Sequence, residues 1–342
     1  MLSVLQNFRD QLDKIMLQCM HSSILLYGYE SYTGRFIKWY AEYYHSIKIN
    51  WLVSTDMSRG RAYDQEIFRP SILDFDYKDV RNAVIWVAEP VTPELASDLA
   101  ARGYEKDVTW FDFFGAIYGG DISSEADAGA DIYTKKKSGR RDIQFLEWLE
   151  WKYGCNFVTR IKPEDIPGQP VHNSGYGCTT QKEIFPMLDR CHAVPGTDDA
   201  IFDFGCGKGG AIVSFLDYGF QQAGGVEYDP HIYEIARQNL QQLHLENRVE
   251  LLHGDAAGLT TELDAYNWFY FYLPFDETIT RKVIANIKES VKRTPRHVRI
   301  IFFSAMNHSY IEEDGIFRLT NQFTVDMRQR VVAVFEHRDV VE

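Results

Sequence analysis

Short apolar runs alternate with stretches of helical periodicity along most of the chain. Ile24-Leu25-Leu26-Tyr27 is followed by a glycine turn and a helical stretch from Gly34 to Tyr44, with Phe36, Ile37 and Tyr40 on one side. Ile49 to Val53, Ser71-Ile72-Leu73, Ala83 to Ala88 and Val108 to Phe111 then read as strands, with a helix opening at Thr92-Pro93-Glu94 and ending at Gly103. Ahead of them, Leu5, Phe8, Leu12, Ile15, Met16 and Cys19 give Met1 to Met20 the apolar stripe of a helix that packs on a neighbouring element. The second half repeats the alternation. Strands are predicted at Ala200 to Phe204, Gly224 to Glu227, Val249 to Leu252, Trp268 to Tyr272 and Val298 to Phe303. Helices are predicted at Ile143 to Tyr153, Gln181 to Cys191, Ala211 to Tyr218, Pro230 to Leu243 and Glu277 to Lys292. Strands that alternate with helices imply parallel, doubly wound sheets. Ile316 to Leu319 and Val331 to Phe335 close the chain as a hairpin.

Between the halves, Tyr118 to Asp142 gathers glycine and serine and switches from acidic Asp121, Glu125, Asp127 and Asp131 to basic Lys135, Lys136, Lys137, Arg140 and Arg141. That composition marks a solvated linker. The expected organisation is an N-terminal α/β domain over 1–117, a linker over 118–142 and a second α/β domain over 143–342.

Charged residues at 25% and hydrophobic ones at 45% describe an ordinary globular protein and exclude disordered and collagenous classes. A net charge of −13 disfavours nucleic acid as a partner. The five cysteines form no Cys-x-x-Cys pair, which speaks against structural zinc and for a reducing compartment. Charges within the first twenty residues, and the lack of any long apolar run, leave neither a signal peptide nor a membrane span, so a cytoplasmic location is expected. An aromatic content of 14% leaves room for a homo-oligomeric interface.

The densest chemistry lies in Asp203-Phe204-Gly205-Cys206-Gly207-Lys208-Gly209-Gly210, where a strand turns into a helix through four glycines. Such a bend brings backbone close to a ligand and aims a helix N-terminus at it. Gly205, Gly207 and Gly210 also satisfy the dinucleotide pattern of NAD(P)-dependent oxidoreductases. Glu227 ends the second strand, where a carboxylate can accept both hydroxyls of a ribose. Asp255 ends the third, placed to accept from an adenine amine beside the Ala256 N–H.

Over Tyr176 to Phe335 this arrangement resembles the class I S-adenosylmethionine-dependent methyltransferases. The resemblance implies a C-terminal Rossmann-like methyltransferase sheet finished by an antiparallel hairpin, preceded by a second, smaller Rossmann-like α/β domain. It implies S-adenosyl-L-methionine as cofactor, with Asp203 near its methionine end, Gly205, Gly207 and Gly209 beneath it, Glu227 on the ribose, and Asp255 and Ala256 on the adenine. The reaction implied is methyl transfer to an O or N acceptor of a small molecule or peptide. Leu273 before a single Pro274 departs from the Asn/Asp-Pro-Pro-Tyr/Phe pattern of amino-directed nucleic-acid enzymes. Candidates for a base or for lining the acceptor pocket are His308, Tyr176 and Tyr272, then His172, Asp276 and Asn307. A non-catalytic cofactor-binding or interaction protein is the alternative from another class. In the first domain, Gly28 to Gly34 and Asp56 imitate a nucleotide-binding half, but tyrosines replace the second glycine, which favours a scaffold or oligomerisation module.

Overall fold

The computed structural model describes residues 3–54, 60–62, 65–74, 78–118, 144–162, 175–303, 309–325 and 330–337. The chain divides into two compact units, Leu5–Trp148 and Leu149–Glu342 with Met1–Val4. Residues 119–143, where the linker is expected, lie outside the described residues.

Six strands build the sheet of the first unit: β1 (Ile24–Tyr27), β2 (Ile49–Val53), β3 (Gly60–Ala62), β4 (Gln65–Phe68), β5 (Val84–Val87) and β6 (Trp110–Asp112). Their order is β3-β4-β2-β1-β5-β6, parallel except that β3 runs against β4. Leu25, Tyr27, Val53, Ile85, Val87 and Trp110 form its core. The N-terminal helix Ser3–Gln18 buries Leu12 and Met16, and its Asp13 accepts from the Tyr40 hydroxyl at 2.7 Å, so this amphipathic stripe is satisfied by protein. Ser71-Ile72-Leu73 is not a strand. It sits inside the 3₁₀ helix Pro70–Asp74, whose first turn suits the fixed φ of Pro70. Polar Gln65 and Glu66 hide β4 from any alternation pattern.

The second unit holds seven strands: β7 (Ala200–Phe204), β8 (Gln222–Glu227), β9 (Val249–His253), β10 (Trp268–Tyr272), β11 (Val298–Phe303), β12 (Arg318–Val325) and β13 (Arg330–His337). Their order is β12-β13-β11-β10-β7-β8-β9, with β7 to β11 parallel and β13 antiparallel to both of its neighbours. The closing hairpin is present, with β13 inserted beside β11. Phe202, Phe204, Phe269, Phe271 and Phe302 belong to one core cluster. There Phe204 stacks on Phe271 at 4.6 Å and Phe271 on Phe302 at 4.5 Å. Val283, Ile284, Ile287 and Val291 of helix Glu277–Arg293 complete the cluster. Period-two alternation sends Asp203 and Tyr270 to the opposite face. There the Tyr270 ring meets Phe215 of helix Gly210–Tyr218 edge-on at 5.1 Å. No helix among the described residues is long and apolar enough to cross a membrane.

The amino ends of β10 and β11 are tied by Arg296. Its guanidinium donates to the carbonyls of Tyr266, Leu263 and Thr294, each at 2.8 Å, and to the Ser290 hydroxyl at 3.0 Å. A lysine offers no planar fork to span these acceptors. Arg296→Lys is expected to lower stability by about 1–3 kcal/mol, read as a fall in the thermal midpoint of the full chain. An unchanged midpoint would show that the fork is dispensable.

Candidate functional site

β7 to β11 run in one direction, so the loops that follow them share one edge of the sheet, where α/β folds bind ligands. A cavity of ≈ 310 Å³ opens there. Asp203, Gly205, Gly207, Glu227, Asp255 and Ala256 all line it, although they come from the ends of three different strands. Gly210 and Ala211, the first residues of helix Gly210–Tyr218, line it as well. First-turn N–H groups of a helix have no partner within it, so this wall offers donors and a positive dipole end.

The glycine bend is held from both sides. Gly205 and Cys206 donate their N–H groups to Val226 O at 3.0 Å, which docks the turn on β8. Gly207 has φ +55°, and a Cβ on it would meet the Tyr176 ring at 2.4 Å. Only glycine allows that backbone beneath that ring. Gly209 has φ +82° and forms the N-cap of helix Gly210–Tyr218. The buried Lys208 Nζ donates to Asn156 Oδ1 and Thr159 O, both at 2.8 Å, and lies 5.0 Å from the Tyr176 ring centre. It staples the segment before the domain to the bend, a role its place in the motif did not announce.

Tyr176 takes part through its ring. Its hydroxyl donates to Phe157 O at 2.6 Å, and burial first, then Cys178 and nearby acids, push the phenol well above its ordinary range. This corrects the expectation of a base at Tyr176, because the proton is held by a carbonyl in a dry setting. The same ring covers the face of Gly207 that a pyrophosphate would need, which counts against a dinucleotide site. Cys206 is buried, and burial with Asp203 and Glu227 nearby raises its thiol well above the usual value, so it packs and does not attack.

The carboxylates differ in how they are satisfied. Glu227 accepts from the N–H groups of Gly207 at 3.0 Å and Asp229 at 2.9 Å, which lower its pKa against a larger upward push from burial. Asp255 is exposed and accepts from Ala257 N–H at 2.9 Å, capping the short turn Ala256–Gly258. Asp203 is 4% exposed and accepts no hydrogen bond from the described residues. Burial and then Glu227 raise its pKa to about 8. Tyr272, Leu273, Pro274 and Phe275 also line the cavity, and Pro274 lies so close to Gly205 that a Cβ on the glycine would meet the Pro274 Cβ at 2.7 Å. Arg330 donates to the Tyr272 hydroxyl and pairs with Glu183, which in turn accepts from Thr180 N–H at 2.9 Å. Sequence reasoning missed Thr179 and Tyr270, which line the cavity, and Arg330 and Glu183, which hold Tyr272, because only strand register and chain closure bring them there.

Asp276 caps helix Glu277–Arg293 by accepting from Ile279 N–H at 3.1 Å, which gives it a structural role in place of the acid–base one considered. His172, Asn307 and His308 lie outside the described residues, as does Asp56 of the first unit. In that unit, a Cβ on Gly34 would meet Gly28 O at 2.3 Å, and one on Gly28 would meet Glu89 Oε2 at 2.9 Å. Ser31 Oγ accepts from Gly34 N–H at 2.9 Å and lies 2.8 Å from Gly28 O. The glycines there serve a turn folded upon itself, beside an acid that would repel phosphate.

Unfolded aspartate ionises near pH 3.9, whereas Asp203 in the fold ionises at about 8. The folded form therefore holds the extra proton across that window, and stability contributed by Asp203 falls as pH rises from about 4 to about 8. Asp203→Asn should remove the fall. Its thermal midpoint is expected to exceed that of the parent by a margin that widens between pH 5 and pH 8, corresponding to roughly a few kcal/mol. A margin independent of pH would contradict the assignment.

A family model falls within the second unit. Residues 201–294 match the family model described as a methyltransferase domain. The ribosomal protein L11 methyltransferase of Escherichia coli O8 (strain IAI1) is 34% identical over 115 residues, which covers 31% of this chain and 39% of that protein. The protein of the same name from Haemophilus influenzae (strain PittEE) is 24% identical over 119 residues, covering 32% and 40%. The chain thus spans about two fifths of the length of the curated relatives it matches. Among solved structures, an RNA methyltransferase from Salinibacter ruber in complex with S-adenosyl-L-homocysteine is 18% identical, with a TM-score of 0.35, over 46% of this chain and 94% of that one. Over residues 201–294 this unit carries a methyltransferase domain, and its strand order, glycine bend and strand-end carboxylates are those expected of the class I S-adenosylmethionine-dependent kind.

Proposed function

We propose that this chain transfers a methyl group from S-adenosyl-L-methionine to an O or N acceptor on a peptide or small molecule. The observation that carries the reading is the convergence of Asp203 of β7, Glu227 of β8 and Asp255 of the turn after β9 on one cavity beside the glycine bend. The residues present suit the cofactor. Asp255 keeps an exposed carboxylate oxygen for the adenine amine, with Ala256 beside it. Glu227 has lone pairs left for ribose hydroxyls after its two backbone bonds. Asp203 is buried at the cavity wall, where a cationic group would favour its ionised form.

When bound, the cofactor supplies a methyl already activated by its sulfonium, so no strong acid is asked of the protein. The chain has to align the acceptor, keep water out and let the acceptor lose its proton. Tyr272, Leu273 and Phe275, which line the cavity after β10, are the walls we assign to the acceptor. Tyr272 Oη accepts from Arg330, which leaves its own O–H free to turn toward an acceptor atom. Among the described residues that line the cavity there are three carboxylates, Asp203, Glu227 and Asp255, and no lysine, arginine or histidine. Such walls suit a neutral or cationic acceptor and repel a polyanion. The relatives named for ribosomal protein L11 lend weight to a peptidic one. The first unit serves as scaffold or oligomerisation module in this reading.

The test is transfer itself. Full chain incubated with cell extract and S-adenosylmethionine carrying a trideuterated methyl is expected to label a discrete peptide or small molecule, detected by mass spectrometry. At subsaturating cofactor, Asp255→Ala should cut that labelling about five- to a hundredfold, since one lost polar contact costs roughly 1–3 kcal/mol. Labelling by the variant equal to that by the parent would remove Asp255 from the site. Bound cofactor with no labelled product would point instead to a non-catalytic, interaction role.

A further inference from the structure

Tyr176 lies on the glycine bend and lines the cavity, yet its polar groups are held by chain that comes before the bend in sequence. Its N–H donates to Ile161 O at 2.8 Å, and its carbonyl accepts from Ile161 N–H at 3.2 Å. Its hydroxyl donates to Phe157 O. The strap formed by residues 155–161 therefore decides where the ring stands. Gly154 at φ +72° and Gly175 at φ +74° stand at the joints of this arrangement, where glycine lets the backbone pivot.

The strap is fastened at few points. Glu150, just ahead of it, accepts from the N–H groups of Phe157 at 2.5 Å and Val158 at 2.6 Å. Asn239 holds the backbone of Asn156 at both N–H and carbonyl. The remaining tie comes from the bend itself. Lys208, between Gly207 and Gly209, donates to the Asn156 side chain and to Thr159 O, and its ammonium stands 5.0 Å from the centre of the Tyr176 ring. One cation thus touches the strap at two places and the ring that the strap positions.

Lys208 is 1% exposed, and its hydrogen-bond acceptors among the described residues are neutral oxygens. An ammonium is costly to bury, and an apolar side chain of the same length would fill the space. What the charge adds is the pair of bonds to the strap. Burial is the first influence on its pKa and pulls it down, opposed by Glu150 and Cys178.

We propose that Lys208 is a positioning residue for the cofactor: through Asn156 and Thr159 it latches the strap, and with it the Tyr176 ring, over the glycine bend, and so sets how slowly an S-adenosyl ligand leaves. The proposal rests on the cofactor assignment above and concerns release of the ligand. Neither Lys208 nor Asn156 lines the cavity, so direct contact with the ligand is not their role.

Surface plasmon resonance with the full chain immobilised and S-adenosylhomocysteine flowing over it reads association and dissociation separately. Lys208→Met keeps the stem and removes the ammonium. It is expected to raise the dissociation rate about ten- to a hundredfold and to change the association rate by less than about threefold. Asn156→Ala cuts the same tie from the strap side and keeps the test open if Lys208→Met does not fold; a rise of about three- to thirtyfold is expected. The double variant should release the ligand about as fast as Lys208→Met alone, because both changes open one latch. Folded variants that show a lower thermal midpoint and the parent's dissociation rate would reduce Lys208 to a structural role and overturn the latch. Weakening carried wholly by slower association, or independent effects that multiply in the double variant, would overturn it too. Each of these leaves the cofactor assignment standing, whereas a parent protein that binds no S-adenosylhomocysteine removes the assignment and the latch together.

Discussion

Three carboxylates share one rim of a sheet, and no cationic side chain among the described residues lines the cavity with them. Buried charge has to be met by hydrogen bonds, by a counter-charge or by a proton. Each acid meets that demand differently. Glu227 uses the N–H groups of Gly207 and Asp229, and in doing so fixes the bend. Asp255 stays in reach of water and caps a turn. Asp203 has neither remedy, so burial leaves its pKa near 8.

The rest of the unit keeps this arrangement in place. The Tyr176 ring closes over Gly207 and is fixed by Phe157 O and by the ammonium of Lys208. Lys208 in turn reaches Asn156 and Thr159, and Asn239 binds both Asn156 O and Lys208 O at 3.0 Å. A chain of hydrogen bonds thereby ties the segment before the domain to the bend and to helix Pro230–Gln242. Glu183, Arg330 and Tyr272 likewise join helix Gln181–Arg190, β13 and β10. The cavity is thus defined by polar ties at both ends and by packed aromatic rings beneath.

Much of this was legible in the chain because the signals were local. The run Ala200 to Phe204 followed by Gly205, Gly207 and Gly209 announced a strand, a bend and a helix, and β7 with helix Gly210–Tyr218 lie there. Glu227 and Asp255 were legible as acids at strand ends. What escaped depends on partners remote in sequence. Tyr270 reads as one more aromatic in Trp268-Phe269-Tyr270-Phe271-Tyr272 until register places it beside Asp203. Tyr176 looked reactive because its hydroxyl could be seen in the sequence and Phe157 O could not. Asp276 looked like a base because a helix cap and an acid–base carboxylate are the same residue until the helix is seen. Ser71 to Leu73 looked extended because three residues carry no period.

Burial with Glu227 nearby raises the Asp203 pKa to about 8, so a bound cation is expected to displace its proton. Calorimetric titration of S-adenosylhomocysteine at pH 7, repeated in buffers of different ionisation enthalpy, counts protons exchanged on binding. With Asp203 near pKa 8 in the free protein and ionised against the ligand's ammonium, release of most of one proton is predicted, about 0.9 at most. Binding without proton release at that pH would contradict the account.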